Sequence, residues 1–102
     1  MARSKPFAIQ FSPAAESHLR ALSARQQRTV LEAIQAKLRH QPDVQTRNRK
    51  PLRPNSLATW ELRIGDLRVY YFIAAEAMTV SVVAVGIKLK NRVVVAGEEF
   101  EL

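Results

Sequence analysis

The chain has 102 residues, of which 47% are hydrophobic, so we expect one globular domain that spans residues 1–102. It has no cysteine, no apolar run near the roughly 20 residues of a membrane span and no secretory signal at its start, so the cytoplasm is the expected location. Its 16 Lys and Arg residues against 9 Asp and Glu residues give a net charge of +7, which favours a polyanion or an acidic protein as partner.

The first part of the chain predicts a short strand followed by two helices. Residues 7–11 alternate between large apolar and smaller or polar side chains, as a strand does. Ser12-Pro13 is typical of a helix N-terminus, and this helix is expected to end near Leu22. A second helix begins at Ser23, where Gln26 completes a capping box, and it is expected to continue to the next proline.

Residues 42–56 are predicted to form a loop, because three prolines and the lack of periodicity exclude a regular element. So long a loop in a small domain is usually functional, although a solvated basic connector is the alternative. Its basic residues are Arg47, Arg49, Lys50 and Arg53.

The stretch from Trp60 to Ile73 predicts a tight β-hairpin, because Gly65-Asp66 separates two alternating apolar segments. A two-residue turn places one face of the hairpin towards a core and two arginines opposite each other on the second face. Like charges across a strand pair destabilise it, so an anionic ligand is expected there. The second face carries Glu61, Arg63, Arg68, Tyr70 and Phe72.

A third consecutive strand is predicted from Met78 to Gly86, after a turn at residues 75–77. Simple alternation along this strand places Ala84 on the core face, whereas Val83 and Val85 share the face of the arginines. Residues 93–96 are predicted to form a short strand or an extended tail, and residues 97–102 are acidic.

The predicted fold is therefore α+β with the element order β-α-α-β-β-β. The helical hairpin is expected to cover one face of a twisted antiparallel sheet and to leave the other face open. Lys88, Lys90 and Arg92 alternate after the last strand, so all three point the same way if the backbone stays extended.

The hairpin sequence Trp-Glu-Leu-Arg-x-Gly-Asp-x-Arg-Val-x-Tyr and the valine strand ending in Val-Gly-x-Lys resemble the RelE/ParE superfamily of bacterial toxins. The resemblance covers about residues 7–96. It implies a microbial-RNase-like fold, a type II toxin–antitoxin module and a cognate antitoxin that wraps and neutralises the toxin. RelE-type members cleave mRNA in the ribosomal A site, whereas ParE-type members poison DNA gyrase and lack the nuclease residues.

The RelE-type active site, as the resemblance implies, is a set of basic residues on the open sheet face. By position, Arg68 matches the arginine that contacts the scissile phosphate, and Arg63 falls where a catalytic lysine is often found. Lys88 matches the basic residue that follows the valine strand. Glu61 stands where another lysine may occur, and Val94 stands near the position of a C-terminal tyrosine, so both depart from the pattern.

RNA cleavage by the 2′-hydroxyl needs a base, cations that stabilise the phosphorane, and an acid. The two arginines and Lys88 would supply the cations. Glu61 is the candidate base, or it neutralises one of the arginines. Tyr70 is a candidate donor or stacking group, or it packs in the interior. His18 and His40 fall on predicted helices away from the arginine face.

The leading hypothesis is a RelE-like, ribosome-dependent mRNA endonuclease that inhibits translation without a metal or cofactor. No acidic cluster would hold a metal, and no Gly-rich loop would hold a nucleotide. One alternative is a ParE-like inhibitor that binds gyrase without catalysis, and another is an inactive relative that binds only its antitoxin or RNA. The residues predicted to contact RNA phosphates are Arg49, Lys50, Arg53, Lys90 and Arg92.

Overall fold

The computed structural model describes residues 5–100, so the two ends of the predicted domain lie outside the described residues. In residues 5–100, a strand and two helices precede six further strands. The elements are β1 (Ala8–Phe11), α1 (Pro13–Arg20), α2 (Ala24–Lys37), β2 (Arg49–Pro51), β3 (Trp60–Ile64), β4 (Leu67–Ala74), β5 (Thr79–Leu89), β6 (Arg92–Val95) and β7 (Glu98–Phe100). Across these same residues, no helix has the length and apolar character needed to cross a membrane.

Both helices begin where the sequence predicts. The Ser12 hydroxyl accepts a hydrogen bond from the Ala15 N–H at 3.0 Å, which satisfies one of the free amides of α1. Ser23 and Gln26 form the predicted capping box at the start of α2, with both hydrogen bonds at 3.1 Å. The second helix ends at Lys37, earlier than expected, so His40 lies beyond the helix rather than on it.

The described strands form one sheet in the order β2-β3-β4-β5-β6-β7, and β1 pairs with β5. The β1–β5 pair is parallel, and the other pairs are antiparallel. Both helices pack on one face of this sheet, so the predicted α+β fold is confirmed. The main core lies between helices and sheet and contains Ala15, Val30, Ile34, Leu38, Leu62, Leu67, Val69, Tyr71, Val80, Val82 and Val85.

The β3–β4 hairpin has the predicted register. Gly65 and Asp66 form its turn, and the φ of +58° at Gly65 is a conformation that glycine adopts without steric cost. The rings of Trp60 and Tyr71 stack across the two strands with their centroids 6.1 Å apart. Because side chains alternate along each strand, this register places the two predicted arginines on the face away from the helices.

The predicted facing of β5 is wrong after its midpoint. A β-bulge lies between two residue pairs of β4 and β5: Tyr71 opposes Val82, but Tyr70 opposes Ala84. The extra residue reverses the alternation, so Val85 enters the main core and Ala84 lies on the arginine face. Simple alternation of side chains along β5 could not predict this reversal, because the bulge arises only from the pairing of β5 with β4.

The strand β2 and the turn between β5 and β6 correct two further expectations, and β7 adds an element that was not predicted. The predicted loop contains the short edge strand β2, which pairs with β3 through Lys50 and Glu61. The acidic stretch that begins at residue 97 contains β7, which pairs with β6. A turn at Lys90 and Asn91, with φ of +58° at Lys90, reverses the chain between β5 and β6, so the predicted extended run of cations does not exist.

The sheet face opposite the helices is covered over part of its area, whereas the sequence predicted an open face. A second apolar cluster forms there, because β6, β7 and the segment after β2 fold over the strands. Its buried members are Ala58, Tyr70, Ala84, Val93 and Val95, with Leu52, Leu57, Val83 and Phe100 packed against them. The arginine face is therefore only partly open.

Replacing Gly86 by alanine is expected to lower the free energy of unfolding by about 1–3 kcal/mol. An added Cβ would lie 2.6 Å from Val95 Cγ2 and 2.7 Å from the Val94 carbonyl oxygen, so β6 would have to move away from β5. Urea denaturation would measure the loss. Partial rescue by Val95→Ala in the double variant is expected, whereas an unchanged midpoint in Gly86→Ala would contradict the close packing.

Candidate functional site

A basic cleft of about 170 Å³ lies on the arginine face, where β2, β3, β4 and the end of β5 meet. The registers explain its composition, because Lys50 opposes Glu61 and Arg63 opposes Arg68. The structure thus brings together four of the five residues predicted to be catalytic. The cleft is lined by Lys50, Leu52, Glu61, Arg63, Arg68, Lys88, Asn91 and Val93.

Glu61 is the centre of a buried hydrogen-bond network in the floor of this cleft. The residue is only 3% exposed, and its Oε2 accepts the Tyr70 hydroxyl hydrogen at 3.0 Å. Its Oε1 accepts Nε–H of Arg63 at 2.9 Å, which forms an ion pair. The neutralising role considered for Glu61 is therefore seen in the structure, with Arg63 rather than Arg68 as the partner.

Tyr70 is fully buried, and its hydroxyl already donates a hydrogen bond to Glu61. Burial, followed by the Glu61 charge and hydrogen bond, raises the pKa of Tyr70 far above its ordinary range. A tyrosine with so high a pKa and no solvent exposure is a poor proton donor to a ligand in the cleft. The geometry agrees with the packing alternative for this residue.

The two paired arginines avoid mutual repulsion because their guanidinium groups take different partners. Arg68 is 6% exposed and donates from Nη1 to the carbonyl oxygens of Gly65 at 2.6 Å and Leu67 at 2.9 Å. These bonds hold the hairpin turn. Arg63 has a side chain that is 42% exposed, so the rest of its guanidinium faces the open cleft.

Lys88 reaches the cleft because its own backbone is tied to the hairpin turn. Its N–H donates to the Asp66 carbonyl oxygen at 2.7 Å, which continues the β4–β5 pairing to the end of the hairpin. Lys88 is exposed, and Lys50 is half-buried. With Arg63, these lysines give the cleft three cations that a ligand can approach, an arrangement suited to a phosphate or carboxylate.

Arg49 does not lie in the cleft, although it is next to Lys50 in sequence. It opposes Leu62 and so shares the helix side of the sheet. Its guanidinium donates to the Lys37 carbonyl oxygen at 2.7 Å and the Val44 carbonyl oxygen at 3.0 Å. Arg49 therefore satisfies a carbonyl at the C-terminus of α2 and fixes the following loop, which is a structural role.

Of the predicted RNA-contacting residues, Lys50 lines the cleft, whereas Arg53, Lys90 and Arg92 lie outside it. Arg53 is exposed in the segment between β2 and β3. Lys90 and Arg92 line an adjoining hollow of about 580 Å³ at the β5–β6 turn, where Arg92 donates to Glu99 Oε1 at 2.6 Å. Asn91, which lines the cleft, was not predicted from the sequence. Recognising Lys90-Asn91 as a two-residue hairpin turn would have placed it beside the cleft.

The charges of the cleft suit an anion, but Glu61 and the neighbouring Tyr70 do not form a free proton-transfer pair. Each of these two groups satisfies the other, and neither faces solvent. Within residues 5–100, no group of three His, Cys, Asp or Glu side chains is placed to hold a metal ion. The arrangement thus supplies electrostatic attraction and positioning, the second of the three requirements for RNA cleavage.

His18 lies on α1 and contacts the sheet on the helix side, away from the cleft. Its Nδ1 accepts the Val85 N–H at 3.2 Å, and burial lowers the pKa of His18 below its ordinary value of 6.5. An unprotonated Nδ1 is required for this bond. His18 is therefore a partly buried residue that packs against β5.

The stability of the protein is expected to fall as pH drops below about 6.5, because the unfolded chain then binds a proton at His18 more readily than the folded chain. Urea midpoints at pH 7.5 and 5.5 would measure this. His40→Gln, a change at an exposed histidine, should keep the pH dependence, and His18→Gln should reduce it. An equal pH dependence in both variants would contradict the role of His18.

Comparison with known proteins gives a family match and similar solved structures. A sequence model described as the ParE toxin of the type II toxin–antitoxin system parDE matches residues 9–91, which run from the second residue of β1 past the end of β5 and include most of the cleft. A chain in the crystal structure of the toxin–antitoxin complex RelBE2 from Mycobacterium tuberculosis is similar, with a TM-score of 0.73 and 28% identity over 86% of this chain and 98% of that chain. A search of curated proteins finds no significant match.

The predicted membership of the RelE/ParE superfamily is confirmed by these findings, since the family match extends over most of the chain. The structural match agrees with the fold described above, with two helices on one face of a sheet. The chain therefore belongs to the ParE toxin family of type II toxin–antitoxin systems.

Proposed function

We propose that this toxin inhibits growth by binding DNA gyrase, without catalysis, in the manner that the resemblance to ParE-type members implies. The observation that carries the proposal is the buried Glu61–Tyr70 pair. A nuclease mechanism would use Glu61 in the cleft and its neighbour Tyr70 for proton transfer, but these two groups are hydrogen-bonded to each other. The family match to the ParE toxin supports the same conclusion.

A cognate antitoxin is the second partner in this proposal. The similar chain from Mycobacterium tuberculosis was solved in a toxin–antitoxin complex, and this chain covers 98% of its length. An excess of seven positive charges favours an acidic antitoxin segment by long-range attraction. The antitoxin would neutralise the toxin by covering surfaces that the target needs. Gyrase and ribosomes are both cytoplasmic, so the proposal places the toxin there.

A ribosome-dependent mRNA endonuclease is the second candidate function, and the cleft itself favours it. Arg63, Arg68 and Lys88 lie in one cleft, as the RelE-type resemblance implies. These cations would stabilise a phosphorane, and positioning of the mRNA by the ribosome would compensate in part for a missing base. The structural similarity to a chain of RelBE2 supports this candidate as well. An inactive relative that only binds its antitoxin or RNA is the third.

Induced expression of the chain alone in bacteria is expected to arrest growth, with thymidine incorporation falling before leucine incorporation, because a gyrase inhibitor blocks DNA replication first. Purified toxin should also inhibit DNA supercoiling by gyrase. Earlier loss of leucine incorporation, with cleavage of ribosome-bound mRNA seen by primer extension, would instead establish the nuclease. Normal growth, with expression of folded protein confirmed, would contradict both toxic activities and support the inactive relative.

A further inference from the structure

Arg63 is held at its Nε by a buried acid, which leaves the outer edge of its guanidinium open. Glu61 Oε1 accepts the Nε–H of Arg63 at 2.9 Å, and Oε2 of the same carboxylate accepts the Tyr70 hydroxyl hydrogen at 3.0 Å. Glu61 is 3% exposed, whereas the Arg63 side chain is 42% exposed. Within residues 5–100, the Nη groups of Arg63 donate no hydrogen bond. Both Nη groups are therefore available to a ligand in the cleft.

The main chain of Arg63 is held by Asn48 in the loop before β2. The Arg63 N–H donates to the Asn48 carbonyl oxygen at 2.8 Å, and the Asn48 side-chain amide donates to the Arg63 carbonyl oxygen at 3.3 Å. Asn48 is itself fixed, because its own N–H donates to the Thr46 hydroxyl at 3.2 Å. Arg63 is thus fixed at its main chain and at its Nε. A side chain ordered in advance loses less conformational entropy when it binds a ligand.

The cleft has the size and the charge for one acidic side chain. Its volume of about 170 Å³ is below the roughly 300–1,000 Å³ of pockets that hold whole small molecules. A nucleotide adds a sugar and a base to each phosphate, whereas an Asp or Glu side chain ends in its anionic group. The two Nη groups of Arg63 match the two oxygens of a carboxylate, and Lys50 and Lys88 add positive charge beside them.

We propose that Glu61 and Asn48 are positioning residues, which hold Arg63 so that its Nη groups bind one acidic side chain of the target protein. This inference rests on the proposed function, in which the target of the toxin is a protein. It gives the buried acid a role in binding, because Glu61 transfers no proton but fixes the direction of the Arg63 guanidinium. Without that contact, Arg63 would sample several rotamers in the open cleft and would bind the same anion less tightly.

NMR titration of the purified full-length chain would test the inference, with the arginine Nε–H signals as the readout. The probes are N-acetyl-glutamate amide, its neutral glutamine counterpart and dimethyl phosphate, a phosphodiester with the same single charge. The glutamate probe should shift the Arg63 signal, and the glutamine probe should not. Arg92 is the internal control, because its side chain is 54% exposed but its Nη1 already donates to Glu99 Oε1 at 2.6 Å.

Two pairs of Glu61 variants separate the contact with Arg63 from the charge. Wild type and Glu61→Asp have the same charge, and Glu61→Gln and Glu61→Ala are both neutral, but only the longer side chain of each pair reaches Arg63 Nε. Within each pair, the shorter side chain should weaken binding of the glutamate probe about 2- to 13-fold. This factor corresponds to about 0.5–1.5 kcal/mol for ordering one side chain. The order parameter of the Arg63 Nε–H should fall as well, and the first pair is sufficient if Glu61→Ala does not fold.

Replacing Asn48 by alanine should reduce the same affinity by a smaller factor. The variant loses the side-chain bond to the Arg63 carbonyl oxygen but keeps the main-chain bond from the Arg63 N–H. Unchanged affinity and an unchanged Arg63 order parameter in Asn48→Ala would remove Asn48 from the positioning role.

Three outcomes would overturn the inference as a whole. The first is an Arg63 signal that the glutamate probe shifts no more than the Arg92 signal, and the second is equal affinity within the pairs of Glu61 variants. The third is tighter binding of dimethyl phosphate than of the glutamate probe at Arg63, which would identify phosphate as the ligand and support the nuclease. None of these measurements uses gyrase, so their failure is distinguishable from a failure to inhibit supercoiling.

Discussion

Replacing Tyr70 by phenylalanine is expected to lower the free energy of unfolding by about 2–3 kcal/mol, more than the same change at Tyr71. Both tyrosines are fully buried and donate one hydrogen bond from the hydroxyl. Tyr70 donates to the Glu61 carboxylate at 3.0 Å, whereas Tyr71 donates to the Pro42 carbonyl oxygen at 2.8 Å. Loss of the Tyr70 hydroxyl leaves a buried carboxylate oxygen of Glu61 without that hydrogen bond. Loss of the Tyr71 hydroxyl leaves only a neutral carbonyl oxygen without one.

The matched change at Tyr71 should cost only about 1 kcal/mol, the usual net value of a neutral hydrogen bond. Urea denaturation of the wild type and both single variants would measure the difference. The Tyr70→Phe variant should still arrest growth, provided that it remains folded at the assay temperature. Loss of growth arrest in a folded Tyr70→Phe variant would contradict its structural role and revive the tyrosine as a proton donor.

Removing two exposed cations of the cleft, by Arg63→Gln together with Lys88→Gln, should abolish growth arrest while the fold is kept. Each charge-assisted contact with an anionic group is worth about 1.5–3 kcal/mol, so the loss of two should weaken target binding on the order of a hundredfold or more. Lys88 is exposed and the Arg63 side chain is 42% exposed, but Arg63 also neutralises the buried Glu61, so Arg63→Gln is expected to lower the free energy of unfolding as well. Arg68 is less suitable for this test because it also holds the hairpin turn.

The matched control for that test is Arg25→Gln together with Arg28→Gln, which removes the same charge from an exposed part of α2. This control variant should remain toxic. Circular dichroism and urea midpoints would confirm that both double variants are folded, and growth after induction would give the readout. If both lose toxicity equally, net charge rather than the cleft determines the effect. If neither does, the cleft is not the surface that binds the target.

The sequence was most informative where local chemistry decides the structure. Ser12-Pro13 and the Ser23–Gln26 capping box set the starts of the helices, because caps satisfy amides within one turn of chain. Gly65-Asp66 set the hairpin register, and that register alone places Glu61 opposite Tyr70. The same register brings Glu61, Arg63 and Arg68 into one cleft, and Lys88 joins them through its hydrogen bond to the hairpin turn.

The sequence was least informative where pairing between distant strands decides which way a side chain faces. The bulge opposite Tyr70 exchanged the faces of Ala84 and Val85, since an extra residue is visible only in the paired strands. Arg49 lies on the helix side of the sheet because it pairs with Leu62. An edge strand of three residues is too short for its sequence pattern to predict that pairing.

The sequence by itself determined the helix starts, the hairpin register and the excess of positive charge, because each depends on neighbours along the chain or on composition alone. Only the tertiary structure decided that β6 and β7 cover part of the arginine face. It also decided that Tyr70 is buried against Glu61, so that neither of these two groups is free to transfer a proton. Burial depends on what packs against a residue, and the neighbours of Tyr70 in the second apolar cluster come from other segments of the chain. The periodicity of a single strand cannot predict such contacts.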